Sequence, residues 1–281
     1  MNKQFQIGKF CFQLRYTDLI APPPNFMLFE NTNVTPEYTY DIVLVKDFPD
    51  PEGQIIAKRE DLLVYQQHTL ENRLIGVKGI QGYYAYYQEI SKNSARVLVD
   101  QKQMKDLNID PVFTSLLALE RRMLPLDNMV LHCAYVSYRG EAILFSAPSE
   151  TGKTTQANLW EQYRGSRTIN GDRALLGQVN GRWAAQGWPV CGTSEVCHNL
   201  TIPVRAIVML EQGKEDTVRR LGAAEAFPLL YSQLTVNRWN RSGSIHAMDL
   251  MDAILKEVPI YLLRCTISEE SVCCLERVLY D

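Results

Sequence analysis

The chain has no apolar run approaching the roughly 20 residues needed to cross a bilayer. Its first residues, Met1-Asn2-Lys3-Gln4-Phe5, lack the apolar stretch of a secretory signal. Both absences point to a cytoplasmic protein with no membrane contact. Excess charge of one sign is missing too: 29 Lys and Arg stand against 32 Asp and Glu, giving a net charge of -3. No bulk field draws in nucleic acid, so an anionic ligand needs a local site. Repeated Cys-x-x-Cys spacing is absent among the seven cysteines, which suits reduced core thiols better than a disulfide framework. Cys191, Cys197 and His198 have no second pair to complete a tetrahedral metal site.

What is present is enough apolar content, 46% of 281 residues, to bury a core in one large or two modest domains. Residues 1–105 read as a small β-rich domain. "YDIVLV", "GYYAYYQEI" and "ARVLVD" are strand-like, and the prolines, aspartates and glycine of "KDFPDPEGQ" stop a strand. Residues 106–281 form a second domain. It opens with a helix near Asp110-Pro111 that runs through "VFTSLLALERRM" and ends at Pro125.

"LHCAYVSY" (131–138) and "EAILFS" (141–146) are strands joined by Arg139-Gly140, a connection suited to a tight hairpin. With Tyr138 facing Glu141, antiparallel counting sets His132 opposite Ala147.

Ala147-Pro148-Ser149-Glu150-Thr151-Gly152-Lys153-Thr154 matches the phosphate-binding pattern G-x-x-x-x-G-K-[ST] except at its first position. The physical requirement is a run of backbone N–H groups ahead of a helix, with Lys153 reaching the terminal phosphates and the Thr154 hydroxyl on magnesium. Thr155 completes the candidate nucleotide contacts. Alanine is the smallest side chain able to replace the first glycine, provided that its φ is negative. An apolar strand precedes the loop and a helix-compatible "KTTQANLWEQ" follows it. Phosphoryl transfer also needs a carboxylate. Two compete: Glu211, ending the strand "AIVMLE", and Asp172 in "RTINGDRALL".

"LHCAYVSYRGEAILFSAPSETGKTT", "INGDRALL" and "GWPVCGTSE" together resemble the HPr kinase/phosphorylase catalytic domain and its relatives in peptide-modification gene clusters, within the phosphoenolpyruvate carboxykinase-like fold. The resemblance spans about residues 106–281. It implies an α+β or α/β fold with a mixed, largely antiparallel sheet. It also implies an ATP- and magnesium-dependent kinase acting on a hydroxyl, such as a serine of a protein or peptide, possibly a precursor peptide, or of a small molecule. Under it Asp172 is the general base or orients the acceptor through magnesium, and His132 is its polar partner. Lys153 carries phosphate charge, Thr154, Asp172 and Glu195 are associated with the metal, and Glu211 merely ends a core strand. The family's acidic pair is Gly171-Asp172 here, with one acid missing. That departure and Ala147 sustain an alternative, a nucleotide-binding accessory protein without phosphotransfer. A third possibility, a hydrolase of the switch or motor type, requires a parallel sheet and Glu211 on magnesium.

Overall fold

The computed structural model describes residues 1–281, which divide into two compact units, Met1–Leu119 and Glu120–Asp281.

The first unit contains one eight-stranded sheet. Its strands are β1 (Asn2–Ile7), β2 (Phe10–Arg15), β3 (Tyr38–Val45), β4 (Gln54–Arg59), β5 (Leu62–Gln67), β6 (Leu70–Ile75), β7 (Ala85–Ser91) and β8 (Ser94–Asp100), in the order β1-β2-β3-β8-β7-β6-β5-β4. Only the β2–β3 and β3–β8 pairings are parallel. Alternation along β1 and β2 buries Phe5, Ile7, Phe12 and Leu14 on one face. There Phe26 of the short helix α1 (Pro24–Met27) packs its ring 4.9 Å from both Phe5 and Phe113.

Phe113 lies on α2 (Asp110–Ser115), and residues 106–119 pack with this unit although the sequence groups them with the second domain. Tyr84 Oη donates to Val112 O (2.9 Å) and Tyr40 Oη to Leu117 O (2.8 Å). The single helix expected through Pro125 is broken. α2 stops at Ser115, the buried Ala118 takes φ 46°, and α3 (Leu119–Met123) resumes before a turn at Leu124–Leu126. A left-handed residue cannot continue the i→i−4 ladder, so tertiary packing here overrides alanine's helix propensity.

The second unit is built on two long strands, β9 (Asn128–Tyr138) and β14 (Thr201–Gln212). Between them in sequence come β10 (Glu141–Ser146), α4 (Lys153–Arg164), β11 (Arg167–Asn170), β12 (Arg173–Val179) and β13 (Arg182–Gln186). After β14 follow β15 (Thr217–Arg220), α5 (Ala223–Ser232), α6 (Arg241–Glu257), β16 (Ile260–Cys265) and α7 (Glu269–Tyr280). The sheet runs β10-β9-β12-β13-β14-β16-β15, and β10 additionally pairs with β14. β10 is antiparallel to β9 and parallel to β14, so the sheet is mixed. The β9–β10 register is unbroken from Glu141↔Tyr138 to Ser146↔Cys133, and one further step sets Ala147 level with His132. A purely parallel sheet, which the switch or motor reading needs, is absent.

Odd residues of β9, including Met129, Leu131, Cys133 and Tyr135, join a buried cluster with Leu230 of α5 and Met251 and Ile254 of α6. Even residues Ala134 and Val136 face a second cluster containing Phe145, Trp160 of α4 and Leu275 of α7. Trp160 is fully buried, 5.3 Å from the Tyr138 ring and 6.3 Å from Phe145, which fixes α4 against the hairpin that leads into it. α7 begins at Ser268, whose hydroxyl caps Ser271 N as its sequence signal indicates.

Candidate functional site

Residues 147–152 connect β10 to α4. Ala147 is fully buried in the core beneath the loop and is not among the residues with positive φ, so alanine costs the backbone nothing there. Gly152 has φ 114°, a conformation that L side chains rarely adopt, even though nothing lies within 4 Å of where a Cβ would stand. Glycine is required here for its dihedral freedom. Gly165, at φ 62°, ends α4 with its N–H on Glu161 O at 3.0 Å. Lys153 is 7% exposed, and its ammonium donates to Ala147 O and Pro148 O, each at 3.0 Å. Burial holds its pKa below the ordinary lysine value, and Arg173 acts in the same direction against the opposing pull of Asp172. Pro148, Ser149 and Glu150 are exposed, and Thr151, Gly152, Thr154 and Thr155 half-buried. From β14, Gln212 Nε2 reaches Thr151 O at 3.4 Å.

The second half of the site is the corner between β11 and β12. Fully buried Asn170 organises it: Oδ1 accepts from Asp172 N and Arg173 N, both at 2.9 Å, while Nδ2 donates to Trp188 O (3.0 Å) and Val190 O (3.1 Å). Gly171 is a close-approach glycine, because a Cβ there would lie 2.0 Å from Ser194 Oγ. A Cβ on Gly192 would lie 3.1 Å from Asp172 Cβ, so the 191–194 turn packs directly against the corner. Thr154 Oγ1 makes a long 3.5 Å contact with Gly171 O, joining the loop to the corner.

Asp172 is held from three directions. Its O accepts from Cys133 N (2.9 Å), Oδ1 is 3.4 Å from His132 Nε2, and Oδ2 is 3.0 Å from Arg173 Nε. Burial alone would raise the carboxyl pKa; the His132 hydrogen bond, Arg173 and Lys153 outweigh it and keep the group below the usual carboxylate range. Arg173 sits across the β9–β12 pairing from His132, and its Nη1 donates to Thr235 Oγ1 at 2.9 Å. His132 N donates to Gln233 O (3.0 Å) and His132 Nδ1 lies 3.3 Å from Gln233 Oε1. The segment after α5 thus supports both neighbours of the carboxylate.

His132, Lys153, Thr154 and Asp172 are therefore brought together. Glu195 is exposed, at φ 56°, just after the 191–194 turn, and it forms no three-ligand cluster with His132 and Asp172. Glu211, at the end of β14, is paired with Arg264 at 2.8 Å. Sequence reasoning missed Asn170, Arg173, Ser194, Gln233 and Thr235. Arg173 was within reach, since it adjoins Asp172; Gln233 and Thr235 lie in no motif.

No curated protein matches the chain. Among solved structures, the Hpr(Ser) kinase/phosphatase from Coxiella burnetii aligns over 53% of this chain and 87% of its own, at 12% identity and a TM-score of 0.32, too low to bear on fold or function. No helix is long and apolar enough to cross a membrane. Residues 97–280 match the family model described as SynChlorMet cassette protein ScmC, and the chain belongs to that family.

Proposed function

We propose that the second unit is an ATP-dependent kinase that transfers the γ-phosphate to a hydroxyl, a serine of a peptide or protein. The observation carrying this reading is the meeting of two chemistries: the buried Lys153 at the foot of a glycine-dependent loop, and across the Thr154–Gly171 contact an ionised Asp172 against His132. In the reaction the acceptor oxygen bonds to the γ-phosphorus, the bond to the β,γ-bridging oxygen breaks, ADP leaves, and the hydroxyl proton passes to Asp172.

The loop N–H groups and the start of α4 bind the phosphates. Lys153 exchanges its two loop carbonyls for phosphate oxygens and takes up charge developing at the leaving oxygen. His132 and Arg173 hold the Asp172 carboxylate in one orientation. Thr154 and Asp172 are hard oxygen donors of the kind magnesium takes. Bound magnesium supplies neutralisation of phosphate charge. A family named for a cassette favours an acceptor encoded beside this gene.

One observation favours the accessory reading: Arg173 on Asp172 weakens the carboxylate as a base. Incubation with ATP, magnesium and serine peptides separates the two. Phosphopeptide should form with the parent and vanish in Asp172→Asn while ATP binding persists; transfer by that variant at the parental rate refutes the catalytic assignment. Lys153→Ala removes charge-assisted hydrogen bonds worth about 1.5–3 kcal/mol, so ATP affinity should fall about ten- to hundred-fold by calorimetry.

A further inference from the structure

The segment that supports His132 and Arg173 does not end at Thr235. Two residues on, Asn237 enters the wall of a cavity of about 360 Å³. Leu124 and Pro125 line it on one side, and Asn240, Ser242 and His246 of the α6 start on another. The fold therefore connects this cavity to Asp172 by one short strap, anchored by Thr235 N on Val130 O (2.9 Å) and by Arg173 on Thr235.

Arg121 also lines the cavity, with its guanidinium already engaged elsewhere, and the amides and hydroxyl beside it are neutral and partly committed. Asn240 Oδ1 accepts from Gly243 N and Ser242 Oγ, both at 2.9 Å, which fixes its amide orientation and leaves Nδ2 as a donor. Asn237 Nδ2 donates to Glu120 Oε1 at 3.1 Å and leaves Oδ1 as an acceptor. His246 is engaged by Asp127 at 2.9 Å. A neutral donor and acceptor beside an apolar wall complement the C=O and N–H of a polypeptide backbone carrying an apolar side chain. The one fixed cation of the lining, Arg121, already has a partner, so the open donor and acceptor are those of the two amides.

We propose that this cavity holds an extended stretch of the peptide acceptor, an inference that rests on the kinase reading of the adjoining Asp172 site. The contour from Asn237 through Thr235 and Arg173 to the carboxylate is on the order of 15 Å, which bounds the separation at about five extended residues. The cavity thus reads an apolar residue within about five positions of the serine that receives phosphate.

The test uses the full-length protein, immobilised without nucleotide, and a fluorescein-labelled library of dodecapeptides with one central serine and randomised flanks. Retained peptides are sequenced. Expected is enrichment of apolar residues at one position within about five residues of the serine, and at least a ten-fold loss of that pool in Ser242→Trp, which fills the cavity. Asn237→Leu, which removes the acceptor oxygen with little change in volume, should lose it as well and serves if the tryptophan variant does not fold. Retention without positional preference, an undiminished pool in both folded variants, or no retention by the parent overturns the proposal. Unchanged ATP affinity in Lys153→Ala defeats the kinase reading separately, since peptide retention needs no nucleotide.

Discussion

The two halves of the candidate site are built in opposite ways. The loop half comes from one continuous stretch: strand, turn, glycine at φ 114°, lysine and helix follow one another within residues 141–164. The Asp172 half is assembled from β9, the β11–β12 corner, the 191–194 turn and the segment at 233–235. Local dihedrals fix the first, and long-range hydrogen bonds fix the second. Substitutions should accordingly act through different causes, a single residue's dihedrals at the loop and several distant partners at the corner.

The largest stability effect belongs to Asn170→Ala. One buried amide serves four backbone partners, and leaving even some of them unsatisfied costs about 1–3 kcal/mol each. A total loss of about 3 kcal/mol or more is expected in urea unfolding, read as a shift in midpoint at unchanged slope. Glu150→Ala on the exposed loop should stay within about 0.5 kcal/mol. Equal costs for the two would erase the contrast.

The same contrast governs what the sequence discloses. The loop is legible because its requirements are contiguous: a β-rich run, a glycine whose φ is positive, a lysine and a helix. His132 is legible one step further out, since a two-residue turn fixes register and register alone sets it level with Ala147. Asp172 emerges from residue patterns only as one of two acids; in three dimensions each is paired with an arginine, and Asp172 lies also beside His132. Gln233 and Thr235 stand about a hundred residues from His132 and obey no local rule. Their role follows from the chain leaving α5 alongside β9, where Leu234 bridges Leu131. The break at Ala118 was hidden for the converse reason, because its propensity argues for helix and only packing argues against it.

Next in size come two glycines that differ in why they are glycine. At Gly171 an added methyl strikes Ser194 Oγ, and overpacking of this kind costs about 1–3 kcal/mol. Ser194→Gly in the same chain removes the obstacle, so Gly171→Ala with Ser194→Gly should recover most of the loss, a coupling that a double-mutant cycle measures directly. At Gly152 the space is open and the penalty is dihedral, about 1–2 kcal/mol. No partner substitution should rescue Gly152→Ala. Rescue there, or additivity at Gly171 and Ser194, contradicts the geometric account.

The smallest effect is the pH dependence of the corner, and its sign follows from the direction of the Asp172 shift. In the folded chain the carboxyl titrates below its ordinary range, whereas in the unfolded chain it titrates near about 3.9. The folded state therefore binds the proton less readily, and ionised Asp172 adds stability that is fully present above the unfolded value. That contribution is lost as pH falls through the lower, folded value. Urea midpoints of the parent and of Asp172→Asn should differ above about pH 4 and converge below it, with the variant the less acid-sensitive of the two. Convergence at a higher pH would mean that His132 and Arg173 do not hold the carboxylate as described.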